Sequence, residues 1–185
     1  MPGDGELVRR ARRGDRDAFG LLLRRHEAKV FTMTLRMLGN REEALDAAQE
    51  VFLSVYRGLP RFQADARFTT WLYRVTVNRC RDALRRRSTV KHTRPAPLAA
   101  EPPSSARGPD EAASATERSR LVARAVAELP GDSNEIVILC DLQGASYEEA
   151  AEVLGIPIGT VRSRLSRARS LLRERLAPIL NQEEA

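Results

Sequence analysis

The sequence predicts an all-α fold, with two small helical domains joined by a Pro-rich flexible linker and a helix-turn-helix in the second domain. Apolar residues recur three and four positions apart through most of the 185 residues, and no stretch alternates as a half-buried strand does. Five prolines interrupt this pattern between residues 88 and 115, a composition typical of an extended linker. We therefore expect an N-terminal domain over residues 1–87 and a C-terminal domain over residues 116–180.

The composition favours a polyanionic partner. Lys and Arg number 31 against 25 Asp and Glu, which gives a formal net charge of +6, and Lys29 and Lys91 are the only lysines. Cys80 and Cys140 offer neither metal-ligand spacing nor a disulfide framework, as is usual in a reducing cytosol. No apolar run is long enough to span a membrane and no signal-peptide core is evident, so we expect a cytoplasmic protein without direct membrane insertion.

Two helices are expected before residue 40. The first covers residues 6–13 and is interrupted at Gly14, and the second is capped by Asp15 or Asp17 and ends at Gly39. The positions of the second helix that recur at helical spacing are Ala18, Phe19, Leu22, Leu23, His26, Val30, Met33, Thr34 and Met37. His26 is more simply explained as a buried histidine than as a metal ligand, because no second ligand is near it.

A third helix is expected over residues 41–58, stopped by Leu59-Pro60. Its apolar stripe consists of Ala44, Ala47, Ala48, Val51, Val55 and Leu59. Another face carries Asp46, Gln49, Glu50 and Leu53. A leucine among polar side chains is either a singly exposed residue or part of a docking patch for a partner helix, and the spacing alone does not decide.

Residues 61–70 show no helical period and are expected to form a loop before a fourth helix, which runs from Thr69 or Thr70 to Arg87. The positions of that helix expected to face inward are Trp71, Leu72, Val75, Arg79 and Ala83, and a polar, basic stripe consists of Arg74, Asn78, Arg81 and Arg85. Phe62, Phe68, Trp71 and Tyr73 lie beside these arginines. Aromatic rings with basic side chains bind single-stranded nucleic acid, and the alternative is a small aromatic core under an exposed basic helix.

The second domain begins with an amphipathic helix that ends at Pro130-Gly131 and carries Leu121, Val122, Ala125, Val126 and Leu129. Asp132 or Ser133 can cap the next helix, over residues 134–142, whose buried side chains are Ile136, Val137, Leu139 and Cys140. We interpret Cys140 as a small core residue rather than a reactive thiol.

Residues 146–176 have the pattern of a helix-turn-helix. Ser146 and Glu149 form a capping box, Gly155 can take the left-handed conformation that ends the helix, and Pro157 suits the start of the next one. The second helix has an apolar stripe of Val161, Leu165, Ala168 and Leu172, and an opposite arc of Arg162, Ser163, Ser166, Arg167 and Ser170. That arc can enter a DNA major groove, or it is a solvated basic face.

These motifs, in this order around a linker of this length, resemble the extracytoplasmic-function (ECF) class of the sigma-70 family of bacterial sigma factors. Residues 15–19, 46–53 and 68–82 are similar to the N-terminal promoter-melting domain of that class. Residues 128–130, 146–149 and 159–169 are similar to its C-terminal domain. The resemblance covers nearly the whole chain.

The resemblance implies a partner for each surface. The residues that would bind the clamp helices of core RNA polymerase are Asp46, Gln49, Glu50 and Leu53. Those that would bind and melt the single-stranded minus-10 element are Phe62, Arg67, Phe68, Trp71, Arg74 and Asn78. Those that would bind the duplex minus-35 element are Arg162, Ser163, Ser166 and Arg167. The linker would thread through the polymerase cleft, and an anti-sigma factor is a further expected partner.

Two positions depart from the family pattern. Leu45 stands where many relatives carry an acid, which makes the expected docking face less acidic. Ser166 stands where some relatives carry a larger side chain that touches bases, which leaves the preferred minus-35 sequence open.

The expected function is that of a promoter-specificity subunit without catalysis, metal or cofactor. The chain has two histidines, two distant cysteines and no phosphate-binding glycine loop, so it lacks an evident catalytic constellation. A stand-alone helix-turn-helix regulator and a helical RNA-binding protein are the alternatives. Copurification with core polymerase would favour the promoter-specificity subunit. Binding to structured RNA without promoter preference would favour the RNA-binding protein.

Overall fold

A computed structural model describes residues 2–63, 67–91 and 121–180. Within those ranges the chain is helical and contains no strand, which confirms the predicted fold class. Its helices fall into two compact units. Most of the predicted linker, and the start predicted for the second domain near residue 116, lie outside the described residues.

Among the described residues, four helices belong to the first unit. They are α1 (Asp4–Arg12), α2 (Arg16–Leu38), α3 (Arg41–Gly58) and α4 (Phe68–Lys91), with a 3₁₀ turn at Leu59–Arg61. The second unit contains α5 (helical residues 121–127), α6 (Gly131–Val137), residues 147–151 of α7 (Tyr147–Leu154), and α8 (Ile158–Leu180). A π-helical stretch, Ile138–Leu142, continues α6. No helix in the described ranges is both long and apolar enough to cross a lipid bilayer.

Local capping signals determine the ends of α2 and α3. Asp15 Oδ1 accepts a hydrogen bond of 2.9 Å from the Ala18 amide, so Asp15 rather than Asp17 is the cap. Gly39 ends α2 at φ 71°, in the left-handed region. Asn40 Oδ1 then accepts from the Glu43 amide at 3.0 Å, and α3 has the predicted bounds.

The core of the first unit lies where α2, α3 and α4 meet, and α1 covers one end of it. The predicted stripe of α3 is buried in full, and His26 and Thr34 of α2 are buried as predicted. Thr34 Oγ1 donates to the Ala44 carbonyl oxygen at 3.0 Å, so a buried hydroxyl links α2 to α3.

The prediction for α4 was wrong in two respects. The helix begins at Phe68, so residues 68–70 are helical rather than part of the loop. Its most deeply buried face also differs from the predicted one, since Trp71, Val75, Arg79 and Ala83 are only half-buried. The buried residues are Leu72, Tyr73, Thr76, Val77 and Cys80. Thr76 looks polar in sequence, but its hydroxyl donates to the Leu72 carbonyl oxygen at 2.8 Å and is satisfied within the helix.

Gly58 allows the end of α3 to approach α4 closely. A Cβ atom at this position would lie 2.9 Å from Cζ2 of Trp71, closer than side chains pack. Because Gly58 has no side chain, the indole ring of Trp71 can pack against the end of α3. Trp71 lies near the start of α4, the helix that carries most of the predicted minus-10 residues.

Two predictions for the second unit were also wrong. Val122, assigned to the apolar face of α5, is 41% exposed, whereas Ala125, Val126 and Leu129 are buried. Neither Asp132 nor Ser133 caps α6, which begins at Gly131, because the Pro130 carbonyl oxygen accepts from the Ser133 and Asn134 amides at 2.8 Å each. Asn134 is buried instead, and its Nδ2 donates to the Val126 carbonyl oxygen at 2.7 Å.

Candidate nucleic-acid and protein interfaces

The helix-turn-helix has the local geometry that the sequence predicts. Ser146 Oγ accepts from the Glu149 amide at 3.1 Å, and Glu149 Oε2 accepts from the Ser146 amide at 2.9 Å, so both halves of the capping box are formed. Gly155 has φ 68°, and an L side chain would be strained there. The Pro157 carbonyl oxygen then accepts from the amides of Thr160 and Val161, which starts α8 at Ile158.

The two faces of α8 separate as predicted. Val161, Leu165 and Ala168 are buried, and Leu172 is half-buried. The exposed arc consists of Arg162, Ser163, Ser166, Arg167 and Ser170. Ser163 and Ser170 donate to carbonyl oxygens of their own helix, whereas no such bond occupies Ser166 among the described residues. The predicted minus-35 residues therefore lie together on the solvent side of one helix.

Ion pairs divide the six arginines of α8 into two groups. Arg164 pairs with Asp132 at 2.8 Å, Arg169 with Asp141 at 2.6 Å, and Arg175 with Glu128 at 3.4 Å. The second group comprises Arg162, Arg167 and Arg173, which are exposed and pair with no acid in the part of the chain that the structure describes. The sequence gives no signal for this division, because the acids lie 28 to 47 residues away.

Arg173 is a candidate that the sequence analysis missed. It has the exposure of Arg162 and Arg167 and lies about one and a half turns beyond Arg167 on α8. A guanidinium without an acid partner can bind a phosphate without first breaking an ion pair. The signal in the sequence is the helical spacing from Arg162, about three turns away on the same face, and it is equally compatible with plain solvent exposure.

Arg169 and Asp141 form a clamp between α8 and the π-helical stretch. Two nitrogens of Arg169 donate to the two carboxylate oxygens, at 2.6 and 3.2 Å, and this bidentate hydrogen bond raises the pKa of the guanidinium above its usual range. Burial, and then the charge of Asp141, raise the pKa of the neighbouring Cys140 thiol to about 11. A raised pKa keeps the thiol protonated at neutral pH, which disfavours a nucleophilic role, but Cys140 is half-buried rather than buried in the core as the sequence predicts.

The predicted docking face lies along α3. Asp46 and Gln49 are exposed, Glu50 is half-buried, and Leu53 is 54% exposed. Glu50 Oε2 lies 3.4 Å from a terminal nitrogen of Arg86, which lies on α4. The four residues thus share one accessible side of a helix whose opposite side is buried in the core.

An apolar groove of about 720 Å³ between α2 and α3 adjoins this face. Leu53 lines it, and its other apolar walls include Phe19, Leu23, Phe31, Leu45, Phe52 and Tyr56. Leu45 and Tyr56 are about half exposed, at 43% and 51%, so Leu53 is not a singly exposed leucine. The sequence gives no signal for the α2 wall, because a groove between two helices depends on how they pack.

The aromatic residues before and within α4 pack against one another. The ring centroids of Phe62 and Trp71 are 4.8 Å apart, and those of Phe62 and Phe68 are 6.1 Å apart and nearly perpendicular. Phe62 and Phe68 are each 7% exposed, so an aromatic core accounts for most of their surface. Trp71 is half-buried, and Asn78 is exposed two turns further along α4.

A cavity of about 300 Å³ lies beside this aromatic cluster. Two segments line it. One contributes Phe62, Arg67, Phe68 and Thr69, and α1 contributes Asp4, Gly5, Val8 and Arg9. Only three of the six predicted minus-10 residues border it, and no feature of the sequence indicated that α1 takes part. Residues 64–66 lie outside the described residues.

No group of three or more His, Cys, Asp or Glu side chains in residues 2–63, 67–91 and 121–180 is arranged to hold a metal ion.

Comparison with known families gives two matches that account for most of the chain. Residues 22–90 match the model for sigma-70 region 2, and residues 119–172 match that for sigma-70, region 4. The first match covers α3 and most of α2 and α4, and the second contains the helix-turn-helix. α1 lies outside both.

Two curated relatives are similar over their whole length. The RNA polymerase sigma-H factor of Pseudomonas aeruginosa is 34% identical over 190 residues, which span 97% of this chain and 96% of the relative. The ECF RNA polymerase sigma-E factor of Haemophilus influenzae is 34% identical over 188 residues, which span 96% of this chain and 97% of the relative.

Two solved structures have the same fold. CnrH, solved in complex with the cytosolic domain of CnrY, superposes with a TM-score of 0.73 at 28% identity, covering 95% of this chain and 97% of that one. The sigma factor RpoE of Bartonella quintana, solved with the anti-sigma factor NepR, gives a TM-score of 0.70 at 24% identity. It covers 86% of this chain and 96% of its own, and it supports the fold alone.

Proposed function

Since this chain belongs to the ECF class of the sigma-70 family, it is an RNA polymerase sigma factor, and we propose how its surfaces divide the work of promoter recognition. It binds core RNA polymerase and promoter DNA and acts in transcription initiation. In the proposal it has no catalytic activity or cofactor of its own. The polymerase makes RNA, and this chain selects and opens the promoter from within the cytoplasm.

The duplex minus-35 element is bound by α8. The observation that carries this assignment is a pair of exposed arginines, Arg162 and Arg167, that have no acid partner among the described residues. They lie on the helix that follows the capped helix and the glycine turn. Their guanidinium groups can donate to guanine edges or phosphates, and Ser163 and Ser166 can adapt to either. Arg173 adds a phosphate contact at the end of the same face. The paired Arg164, Arg169 and Arg175 hold α8 on its own unit.

The single-stranded minus-10 element is bound by the end of α4 that carries the aromatic cluster. Phe62, Arg67 and Phe68 line the cavity, and Trp71, Arg74 and Asn78 follow along α4. Unstacked bases present flat apolar faces and polar edges, which this combination of side chains suits. The predicted aromatic core and the predicted single-strand site are compatible, because the same rings serve both.

Core polymerase docks on α3 and the groove beside it. Asp46 and Glu50 supply negative charge, and Leu53, Leu45 and Tyr56 supply accessible apolar surface around a concave centre. An acidic rim beside an apolar groove suits a helical partner with basic residues next to aliphatic ones. Leu45 stands where many relatives carry an acid, so the docking face has less negative charge. Its accessible side chain adds apolar contact surface instead.

A protein inhibitor of the anti-sigma type is a further proposed partner. CnrH, at 28% identity, was solved with the cytosolic domain of another protein. The groove between α2 and α3 is the accessible apolar surface on which such a partner could compete with core polymerase. The linker, residues 88–115, is proposed to lie in the polymerase cleft.

The docking assignment predicts that Asp46→Lys combined with Glu50→Lys weakens binding to core polymerase while both units stay folded. Charges of the wrong sign on a docking surface repel the partner and cost several kcal/mol, on the order of 2 to 5. Native gels with purified core polymerase measure the loss, and circular dichroism checks the fold.

The matched control is Glu6→Lys combined with Asp17→Lys, which changes the net charge equally at exposed positions of α1 and α2. The control should form holoenzyme as the wild type does. Equal binding by both double variants would show that core polymerase does not dock on this face of α3.

A further inference from the structure

α1 is held on the first unit by a small polar cluster next to the cavity. Asp4 Oδ1 accepts from a terminal nitrogen of Arg25 at 2.6 Å, and Asp4 Oδ2 lies 2.8 Å from His26 Nε2. Arg25 also donates to the Pro2 carbonyl oxygen at 2.8 Å. One carboxylate at the first residue of α1 thus joins two neighbouring residues of α2.

The histidine in this cluster is poorly suited to a purely structural role. His26 is 3% exposed, and its Nδ1 is buried without a hydrogen-bond partner among the described residues. An unsatisfied buried nitrogen is destabilising, by about 1 to 3 kcal/mol. A hydrocarbon ring of similar shape would fill the same space without that penalty. What the imidazole adds is its bond to Asp4, a charge-assisted contact between α1 and α2.

The same imidazole contacts the aromatic wall of the cavity. The ring centroid of His26 lies 5.4 Å from that of Phe68, the first residue of α4. Asp4 and Phe68 both line the cavity, and they belong to different helices, α1 and α4. His26 bonds to the first and packs against the second, so its position affects the spacing between them.

Burial anchors the rest of α1 to the same core. Leu7 and Val8 are buried to 0% and 2% exposure in the cluster that contains Phe62 and Phe68. α1 is only nine residues long, too short to be a stable helix in isolation. Its position depends on these apolar contacts and on the Asp4 cluster, so loosening either should move the cavity wall.

We infer that α1 is a wall of the minus-10 strand-binding cavity, and that Asp4 and His26 are positioning residues that hold this wall at the distance that admits one extruded base. This inference rests on the proposed minus-10 function and extends it to residues outside the sigma-70 region 2 match. The cavity, at about 300 Å³, is at the small end for ligand sites and suits a single flat group rather than a larger one. Phe62 and Phe68 contact the face of that group, and the polar residues that line the cavity are Asp4, Arg9, Arg67 and Thr69.

The experiment measures binding of single-stranded DNA to reconstituted holoenzyme. A pool of labelled oligonucleotides with a randomised single-stranded segment is first selected by the wild-type holoenzyme, and the enriched strand becomes the probe. Asp4→Asn and His26→Phe are then compared with the wild type by fluorescence anisotropy. We expect each to bind the strand about tenfold more weakly, the effect of losing one charge-assisted hydrogen bond. Core binding, and affinity for duplex minus-35 DNA, should be unchanged.

Three further variants distinguish a positioning role of Asp4 and His26 from an effect on the overall stability of the protein. Asp17→Asn makes the same chemical change at an exposed first-turn position of α2 and should bind as the wild type does. Val51→Ala shortens a fully buried side chain of the same core, and should lower stability without the same loss of strand affinity. His26→Gln keeps a donor within reach of Asp4 and should recover part of the affinity that His26→Phe loses.

Two results would overturn the inference. One is equal strand affinity in wild type, Asp4→Asn and His26→Phe, and the other is an equal loss in Val51→Ala at matched stability. Failure of the proposed function has a different signature, because the wild-type holoenzyme would then enrich no strand from the pool.

Discussion

At the scale of single residues, α8 shows how identical side chains acquire different roles. All six arginines look alike in sequence, and helical periodicity separates only the exposed arc from the apolar stripe. The ion pairs with Glu128, Asp132 and Asp141 come from elements that the fold brings to α8. The exposed arc could therefore be predicted, but the distinction between arginines in ion pairs and arginines without an acid partner among the described residues required the structure.

Arg167→Ala and Arg169→Ala form a matched pair that tests this distinction. Loss of Arg167 should weaken minus-35 binding by about 1–3 kcal/mol if it contacts a guanine in bidentate fashion. Loss of Arg169 should lower unfolding stability by about 0.5–1 kcal/mol, the range of partly exposed ion pairs, and leave binding nearly unchanged. Anisotropy with duplex promoter DNA and urea denaturation measure the two effects.

Salt titration refines the same comparison. If Arg167 contacts a phosphate instead, its loss should reduce the slope of log affinity against log salt by about one, across all sequences. Promoter affinity unchanged in Arg167→Ala at every salt concentration would remove this residue from the DNA-binding surface.

At the scale of elements, the sequence predicted the features that depend on contacts within one turn of the chain. It did not predict those that depend on tertiary packing. Asp15, Gly39 and the Ser146–Glu149 box act within one turn of the chain, and each lies where the sequence predicts. The buried face of α4 differs from the predicted one because Thr76 packs inside the core, where its hydroxyl donates to the Leu72 carbonyl oxygen. The cap of α6 was misassigned because a backbone carbonyl, that of Pro130, replaced a side chain. The residue pattern of a single helix predicts neither the α2–α3 groove nor the cavity beside α1, because both depend on how helices pack.

Lowering the pH should weaken the contact between α1 and α2 by protonating the Asp4 carboxylate. Burial raises the pKa of this carboxyl, but the hydrogen bond from Arg25, together with the charge and hydrogen bond of His26, lowers it by more, so the pKa lies below the ordinary 3.8. A carboxyl whose pKa is lower in the folded state stabilises the fold above the unfolded pKa, and this contribution is lost as the pH falls through the folded pKa.

The expected result is that wild type loses more stability than Asp4→Asn between about pH 5 and pH 3, since the variant has no carboxyl to protonate. Denaturant unfolding at several pH values measures the difference. Parallel pH profiles for the two proteins would show that the Asp4 carboxylate does not stabilise the fold.

At the scale of the whole molecule, the chain has two compact units, and in the proposal each carries a DNA-binding surface and the first also carries the docking face. Linking two recognition modules in one chain makes the second binding event effectively intramolecular, so modest contacts at each element can add up to a specific promoter. The order of motifs predicts two domains, and the region 2 and region 4 family models match residues 22–90 and 119–172. A helix-turn-helix regulator acting alone would leave the acidic and apolar face of α3 without a role.

Run-off transcription with start-site mapping tests the central claim most directly. Core RNA polymerase is incubated with genomic DNA fragments, with and without the full-length chain, and the 5′ ends of the transcripts are sequenced. We predict new start sites that depend on the chain and share two sequence elements upstream, with Arg167→Ala and the Asp46/Glu50 double variant both reducing their use. Start sites that are the same with and without the chain, while the chain alone binds duplex DNA with full specificity, would contradict the assignment.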